Sequence, residues 1–306
     1  MAKKDAQSGE LNALRHSASH VMAQAVLEKF PEGKLGIGPP IEDGFYYDFE
    51  LPRPLTPDDL ESIEARMQEI IGGDHAFEHR DVSPDEARKI FRDQPFKLEL
   101  IEALEKGELG THGEASEEPV DAVSLYTHDQ FTDLCAGPHV EHTGKVPAKG
   151  IKLLSVAGAY WRGDAKNPML QRIYGTAWPS SEELEEYLEL RAEAKRRDHR
   201  VLGKELDLFS IHHEEAGAGL IVWHPKGGVI RNTIEDYWRK RHLEEGYDIV
   251  FAPHIGKHSL WSISGHLDFY RESMYAPMDI EGVEYYAKPM NCPYHILIYK
   301  SGLRSY

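Results

Sequence analysis

The sequence predicts an α+β protein built as two folded parts joined by a helix. Three observations predict it. Helical periods and short β-rich runs alternate through the first half, which suits a mixed fold. Near Ser180 the composition turns to charged helix, and past Gly203 a new pattern of long helix and short strands begins. At 306 residues the chain also exceeds the size at which a single core usually stops growing.

Taken in order, residues 1–11 are polar and read as a disordered tail. From Leu11, apolar residues recur at three- and four-residue steps (Leu14, Ala18, Val21, Met22, Ala25, Val26), a helix ended by Pro31 and Gly33. His16 and His20 lie one turn apart on one face of it, with Ser17 and Ser19 beside them. "KLGIGPPIEDGFYYDFEL" reads as strand, turn and strand, with Asp43-Gly44 as the hairpin signal. "LTPDDLESIEARMQEIIGGD" is a helix with Thr56 as N-cap, and "VSPDEARKIFRDQ" is another. "FKLELIEAL" is short and ambiguous. A polar Gly- and Glu-rich loop follows between Gly107 and Val120, then strand-like residues around "TDLCAGPHV", and "QRIYGTAW" closes the domain as a strand. This gives a compact α+β domain over 12–178.

Residues 179–204 read as an exposed connecting helix. Ser180 and Glu183 are spaced as a capping box, acids come first, and Lys195, Arg196, Arg197 and Arg200 come last, which suits the helix dipole. That basic cluster reads more readily as a solvated face than as an RNA contact. A second domain occupies 205–306. Its "GGVIRNTIEDYWRKRHLEEGY" is an amphipathic helix with Ile230, Ile234, Tyr237 and Trp238 on one side, and "DIVFAPHI" reads as a strand carrying Pro253.

Composition narrows the function classes. Hydrophobic residues at 41% and charged residues at 28% describe an ordinary globular chain. No apolar run approaches the roughly 20 residues needed to span a bilayer, and the N-terminus lacks the apolar core of a secretory signal. Two cysteines in such a chain make no disulfide framework, nothing favours pairing Cys135 with Cys292, and a cytoplasmic setting fits best. With 35 basic against 52 acidic residues the net charge is −17, which disfavours non-specific nucleic-acid binding. No membrane or DNA partner is expected, while a local basic cluster can still meet RNA.

Chemistry concentrates in two pairs. His16 and His20 form a helical His-x-x-x-His, which alone is weak evidence. Cys135-x-x-x-His139 is sharper, because Gly137 and Pro138 make it a shaped turn. Two imidazoles with a thiolate and a third imidazole would complete a tetrahedral zinc site. The same four groups would equally line a hydrolytic pocket where histidines move protons. Taken alone, Cys135 reads as a buried structural thiol.

These stretches together resemble the bacterial-type threonyl-tRNA synthetase family. "HSASH", "GIGPPIEDGFYYDFE", "FKLELI", "TDLCAGPHV" and "QRIYGTAW" follow the order and approximate spacing of its editing domain, and "EAKRRDHRVLGKELDLF" and "KPMNCPYH" match further on. The resemblance runs from about residue 12 to 306. It implies an editing pocket at His16, His20, Lys97, Asp133, Cys135 and His139, which hydrolyses seryl-tRNA mischarged on the threonine tRNA. Serine and threonine differ by one methyl group, worth only ~1–3 kcal/mol in a pocket, so a second hydrolytic site must correct errors. Lys97 by itself would read as a surface lysine. The related alanyl editing domains hold zinc on a similar set; the threonyl family implies a metal-free pocket.

For the second half the resemblance implies the first part of a class II antiparallel-sheet core. The helix and "DIVFAPHI" match motif 1, with Pro253 its proline, the element that makes the family's homodimer interface. Met290 and Cys292 match positions of the threonine pocket, where the family's cysteine binds Zn2+; "NCP" would otherwise be an ordinary turn. The family's two histidine zinc ligands, ATP-binding motifs 2 and 3 and anticodon-binding domain match nothing in the 306 residues, nor does its ubiquitin-like domain. Tyr294 stands where the family usually has glycine, a departure that would crowd the pocket, and His295 carries no ligand role. The expected whole enzyme joins threonine to its tRNA with ATP and Mg2+, and this stretch alone is not expected to form threonyl-adenylate. Two other readings stay open: a free-standing deacylase that removes serine from tRNA in trans, and a non-catalytic truncated paralogue that binds tRNA or a synthetase subunit.

Overall fold

The computed structural model describes residues 2–108 and 120–303, residues 2–8 by backbone alone. Most of the loop expected between Gly107 and Val120 lies outside the described residues. The chain divides into two compact units, Met1–Asp198 and His199–Tyr306.

The first unit opens with α1 (Ala2–Lys29), so the stretch read as a disordered tail is drawn as helix. Ala, Lys, Gln and Glu there are all strong helix formers. After α1 come the short strands β1 (Lys34–Leu35) and β2 (Pro40–Ile41) and the aromatic β3 (Gly44–Glu50). Then α2 (Pro57–Gly72) begins at a reciprocal cap. Thr56 Oγ1 accepts the Asp59 N–H (3.3 Å), and the Asp59 carboxylate accepts the Thr56 N–H (2.9 Å). Asp59 also takes Arg53 at 2.6 Å and Lys29 at 3.2 Å, so the cap fastens three segments.

Next come β4 (Glu78–Val82), α3 (Pro84–Ile90) and α4 (Pro95–Glu105), which resolves the ambiguous "FKLELIEAL" as helix, Pro95 sitting in the first turn where no N–H is needed. The unit ends with β5 (Val123–His128), β6 (Phe131–Leu134), β7 (Ile151–Tyr160), β8 (Met169–Ala177) and α5 (Ser181–Arg196).

Two antiparallel sheets result. One runs β1-β3-β8-β7 with β2 also on β3, and the other runs β4-β5-β6. Helices α1 and α2 bury Val21, Met22, Ile63 and Met67 in one cluster with Phe45, Phe49 and Ile173 of the first sheet. Between β3 and β8 the buried Asp48 accepts both arms of Arg172 (2.7 and 2.8 Å), and that guanidinium also covers the Tyr46 ring at 3.8 Å.

The stretch read as one connecting helix holds two: α5 stops at Arg196 and α6 (His199–Glu205) starts the second unit. Asp198, whose side chain competes for backbone bonds, stands in the break. A hairpin of β9 (Phe209–Ile211) and β10 (Ile221–Trp223) follows, then α7 (Pro225–Glu244). Its apolar side is bare: Ile234 is 62% and Trp238 54% exposed.

The strand expected over "DIVFAPHI" requires correction. Residues 248–253 have no regular structure, Phe251 is 87% exposed, and β11 is only Ile255–Lys257. A strand exists only with a neighbour to share its hydrogen bonds, and here backbone pairing starts only at the His254 carbonyl, which accepts Lys288 N–H at 2.9 Å, and at Ile255 opposite Ala287. Helices α8 (His258–Ile263) and α9 (His266–Phe269), strands β12 (Met278–Ile280) and β13 (Val283–Ala287) and helix α10 (Cys292–Lys300) complete the unit around Trp261, Tyr286 and Tyr294, with sheet order β11-β13-β12. Among the described residues no helix is long and apolar enough to cross a membrane.

Candidate active site

Both chemical pairs found in the sequence meet in the first unit. Helix α1 presents His16 and His20 on one face. After β6 the chain turns through Cys135, Gly137 and a cis Gly137–Pro138 bond to His139. Gly137 has φ +72°, and a Cβ there would come within 2.6 Å of the Tyr126 hydroxyl, so this turn requires glycine.

Cys135 Sγ lies 3.2 Å from His16 Nε2 and 3.2 Å from His139 Nε2, and the Gly137 N–H donates to it at 3.2 Å. Neighbouring bonds assign the protons. Ser17 O–H donates to the Ala13 carbonyl (2.8 Å), so its oxygen accepts from Val140 N–H (3.0 Å) and from His139 Nδ1–H (3.1 Å). His139 Nε2 is then the acceptor and the thiol its donor. Burial pushes the Cys135 thiol up to about 12, and it pulls His139 down to about 2 and His20 well below the usual imidazole range, with the other histidines adding to both. Near neutral pH Cys135 is a protonated thiol beside the neutral imidazoles of His20 and His139. Such a thiol is a poor nucleophile, while a neutral imidazole can take a proton from water.

Beside the cluster lies a charged pair. Lys97, in the first turn of α4, is 1% exposed, and its Nζ is 2.6 Å from Asp133 Oδ1. Asp133 also accepts Tyr47 O–H (2.5 Å) and Leu134 N–H (2.8 Å), and faces His20 Nε2 at 3.6 Å. Two hydrogen-bond donors and a cation compensate a carboxylate that would otherwise be costly to bury. His16, His20, Lys97, Asp133 and Cys135 line one cleft of about 550 Å³, whose remaining wall is largely apolar, with Leu100, Leu104 and Val123. His139 touches the thiol without lining the cleft.

Sequence reasoning missed Tyr47. Alternation along "GFYYDFE" puts it on the inward face with Phe45 and Phe49, and a buried tyrosine hydroxyl needs a partner, so the signal was present. Met290 and Cys292 stand apart, in the second unit, where Cys292 is an exposed free thiol at the start of α10. Tyr294 packs in that unit's core, its O–H on the Ile255 carbonyl at 2.7 Å. Among the described residues the one group of three or more side chains placed to share a metal is His16, His20, Cys135 and His139, with donor atoms within 4.8 Å of one another.

Residues 123–174 match the family described as the threonyl and alanyl tRNA synthetase second additional domain. Over 297 residues the chain is 54% identical to a threonine–tRNA ligase of Dehalococcoides mccartyi, covering 97% of this chain and 48% of that one. Over all 306 residues it is 51% identical to a threonine–tRNA ligase of Borrelia hermsii, covering 50% of the relative. Over nearly its whole length the chain is similar to threonine–tRNA ligases.

It spans about half the length of the curated ligases it matches. Among solved structures, the RNA-binding domain of threonyl-tRNA synthetase from Cryptosporidium parvum is 36% identical over 36% of this chain and 27% of that chain, with a TM-score of 0.34. The second-additional-domain match holds Asp133, Cys135 and His139; the ligase matches extend the similarity over nearly the whole chain, α1 and α4 being outside the shorter match.

Proposed function

We propose that the first unit hydrolyses the ester of serine wrongly attached to the threonine tRNA. One observation carries the reading: a buried lysine–carboxylate pair converges with His16, His20 and Cys135 on one cleft, within a chain similar to the ligases. The substrate's ammonium suits the Asp133 carboxylate, and Lys97 is the cation for the charge that develops on the carbonyl oxygen. The imidazole of His16 takes a proton as water attacks the carbonyl carbon, while His20 stays proton-donating toward Asp133. The bond from that carbon to the ribose oxygen then breaks, and the proton passes to the leaving oxygen, giving free serine and tRNA. With its thiol protonated, Cys135 acts by holding His16 and His139, not as the attacking group. Replacing Cys135 or His16 by alanine is expected to slow seryl-tRNA hydrolysis roughly 100-fold or more, the scale of a lost acid–base group. Wild-type rates in both variants would remove the assignment.

A metal centre on the same four donors is the second reading, favoured by their mutual closeness. Against it, the burial that pushes the Cys135 thiol up to about 12 opposes the thiolate that zinc requires. Metal analysis of the chain purified without chelator should therefore give well under one zinc per chain. A stoichiometric zinc that disappears in Cys135→Ala would replace the acid–base reading with metal-bound water.

For the whole ligase we propose ATP- and Mg2+-dependent attachment of threonine to its tRNA, in the cytoplasm. Here Met290 and Cys292 contribute to the threonine pocket, with Cys292 one of three zinc ligands. In this chain Cys292, one of those three donors, is a free thiol. The bare side of α7 and the unpaired 248–253 segment with Pro253 support a homodimer, since an apolar helix face and an idle strand both need a second surface.

A further inference from the structure

Among the described residues, five buried side-chain nitrogen or oxygen atoms have no hydrogen-bond partner, and four of them sit together behind His20. They are His20 Nδ1, Gln24 Oε1 and both ring nitrogens of His128. His128 ends β5 and is 1% exposed, its ring 4.7 Å from Phe77, 5.5 Å from Phe131 and 6.5 Å from His20. Gln24 follows His20 by one turn of α1 and is 3% exposed; its amide donates to Asp129 (2.8 Å) and to Glu28 (2.9 Å). Asp129 neighbours His128 in the chain and reaches His75 at the surface (3.8 Å).

A buried polar atom without a partner costs about 1–3 kcal/mol, so four in one place would be a heavy and needless expense. One internal water, which makes about three bonds to such groups, would satisfy most of them. The direction of those bonds follows from Asp133. Its carboxylate only accepts, so the His20 nitrogen facing it, Nε2, carries the proton. His20 Nδ1 is then an acceptor and needs a donor.

We propose that His128 is a positioning residue for the hydrolytic site: through internal water it supplies the hydrogen bond to His20 Nδ1 and links His20 to Gln24 and Asp129. It holds the ring in the tautomer that faces Asp133, and never touches substrate. The proposal rests on the hydrolytic reading of the cleft, and its test separates the two.

In the full chain, His128→Phe fills the same aromatic niche and removes two unpartnered nitrogens, so the fold should keep or gain thermal stability. The kcat for seryl-tRNA should nevertheless fall roughly 10- to 100-fold with KM unchanged, by analogy with metal-binding histidines that lose the hydrogen bond to their other nitrogen. His128→Gln, which keeps a donor and an acceptor, should recover most of the rate. Ring 15N spectra should show His20 protonated on Nε2 in the wild type and mixed between nitrogens in His128→Phe. A His128→Phe chain with wild-type kcat, or with an unaltered His20 tautomer, would overturn the proposal. A wild-type chain that leaves seryl-tRNA intact would sink the hydrolytic reading alone, because the ring spectra still decide the His20–His128 link.

Discussion

Replacing Asp133 by alanine is expected to cost the first unit about 3–5 kcal/mol, the usual penalty for stranding one member of a buried ion pair. Lys97 is 1% exposed, so its ammonium would be left in a largely apolar wall facing no carboxylate. Tyr47 O–H and Leu134 N–H would lose their acceptor in the same step. Against a typical stability of about 5–15 kcal/mol this is a large fraction of the whole. Amide hydrogen exchange in α1 reads it, with protection falling by two or more orders of magnitude. Removing both charges, as Lys97→Met with Asp133→Leu, should restore much of that protection while hydrolysis remains lost. Such a pair then matters more for chemistry than for stability. Unchanged protection in Asp133→Ala would contradict the buried pair.

Mild acid should weaken the first unit steeply. Burial holds His139 down to about 2 and His128 down to about 4, and holds His20 well below its ordinary value. All three are neutral in the fold and charge readily in the unfolded chain, so unfolding takes up protons once the pH drops below about 6.5. Their contribution is therefore complete above that pH and is lost as the pH falls toward the folded values. Each group costs about 1.4 kcal/mol per pH unit, so the three together cost roughly 4 kcal/mol for each unit below 6.5. The urea midpoint of the first unit at pH 5.5 should lie well below that at pH 7.5, and His128→Phe should shrink the difference by about a third. Equal midpoints at both pH values would mean that these rings are not buried as neutral groups.

Much of the first unit was legible from local rules. The α1 period, the Thr56 cap of α2 and the aromatic run of β3 all express preferences of neighbouring residues, and they stand where those preferences place them. The two chemical pairs were visible as spacings. Their meeting was not, because His16 and Cys135 are 119 residues apart and only the fold brings them together. Resemblance supplied that step, and it alone singled out Lys97.

Tyr47 and His128 escaped notice for one reason: within β-rich aromatic runs a ring that packs and a ring that carries a working polar atom look alike. The misread stretch 248–255 shows the opposite limit. Its residues favour a strand, but a strand is a property of two neighbours, and residues 248–253 find none among the described residues.

The central claim is that this cleft removes serine from the threonine tRNA. Its most direct measurement is the rate at which the chain deacylates threonine tRNA charged with serine against the same tRNA charged with threonine, alongside Cys135→Ala and His16→Ala. The account predicts faster release of serine than of threonine by the wild type and loss of that release in both variants. Equal rates for the two esters, or serine release that survives both substitutions, would contradict it.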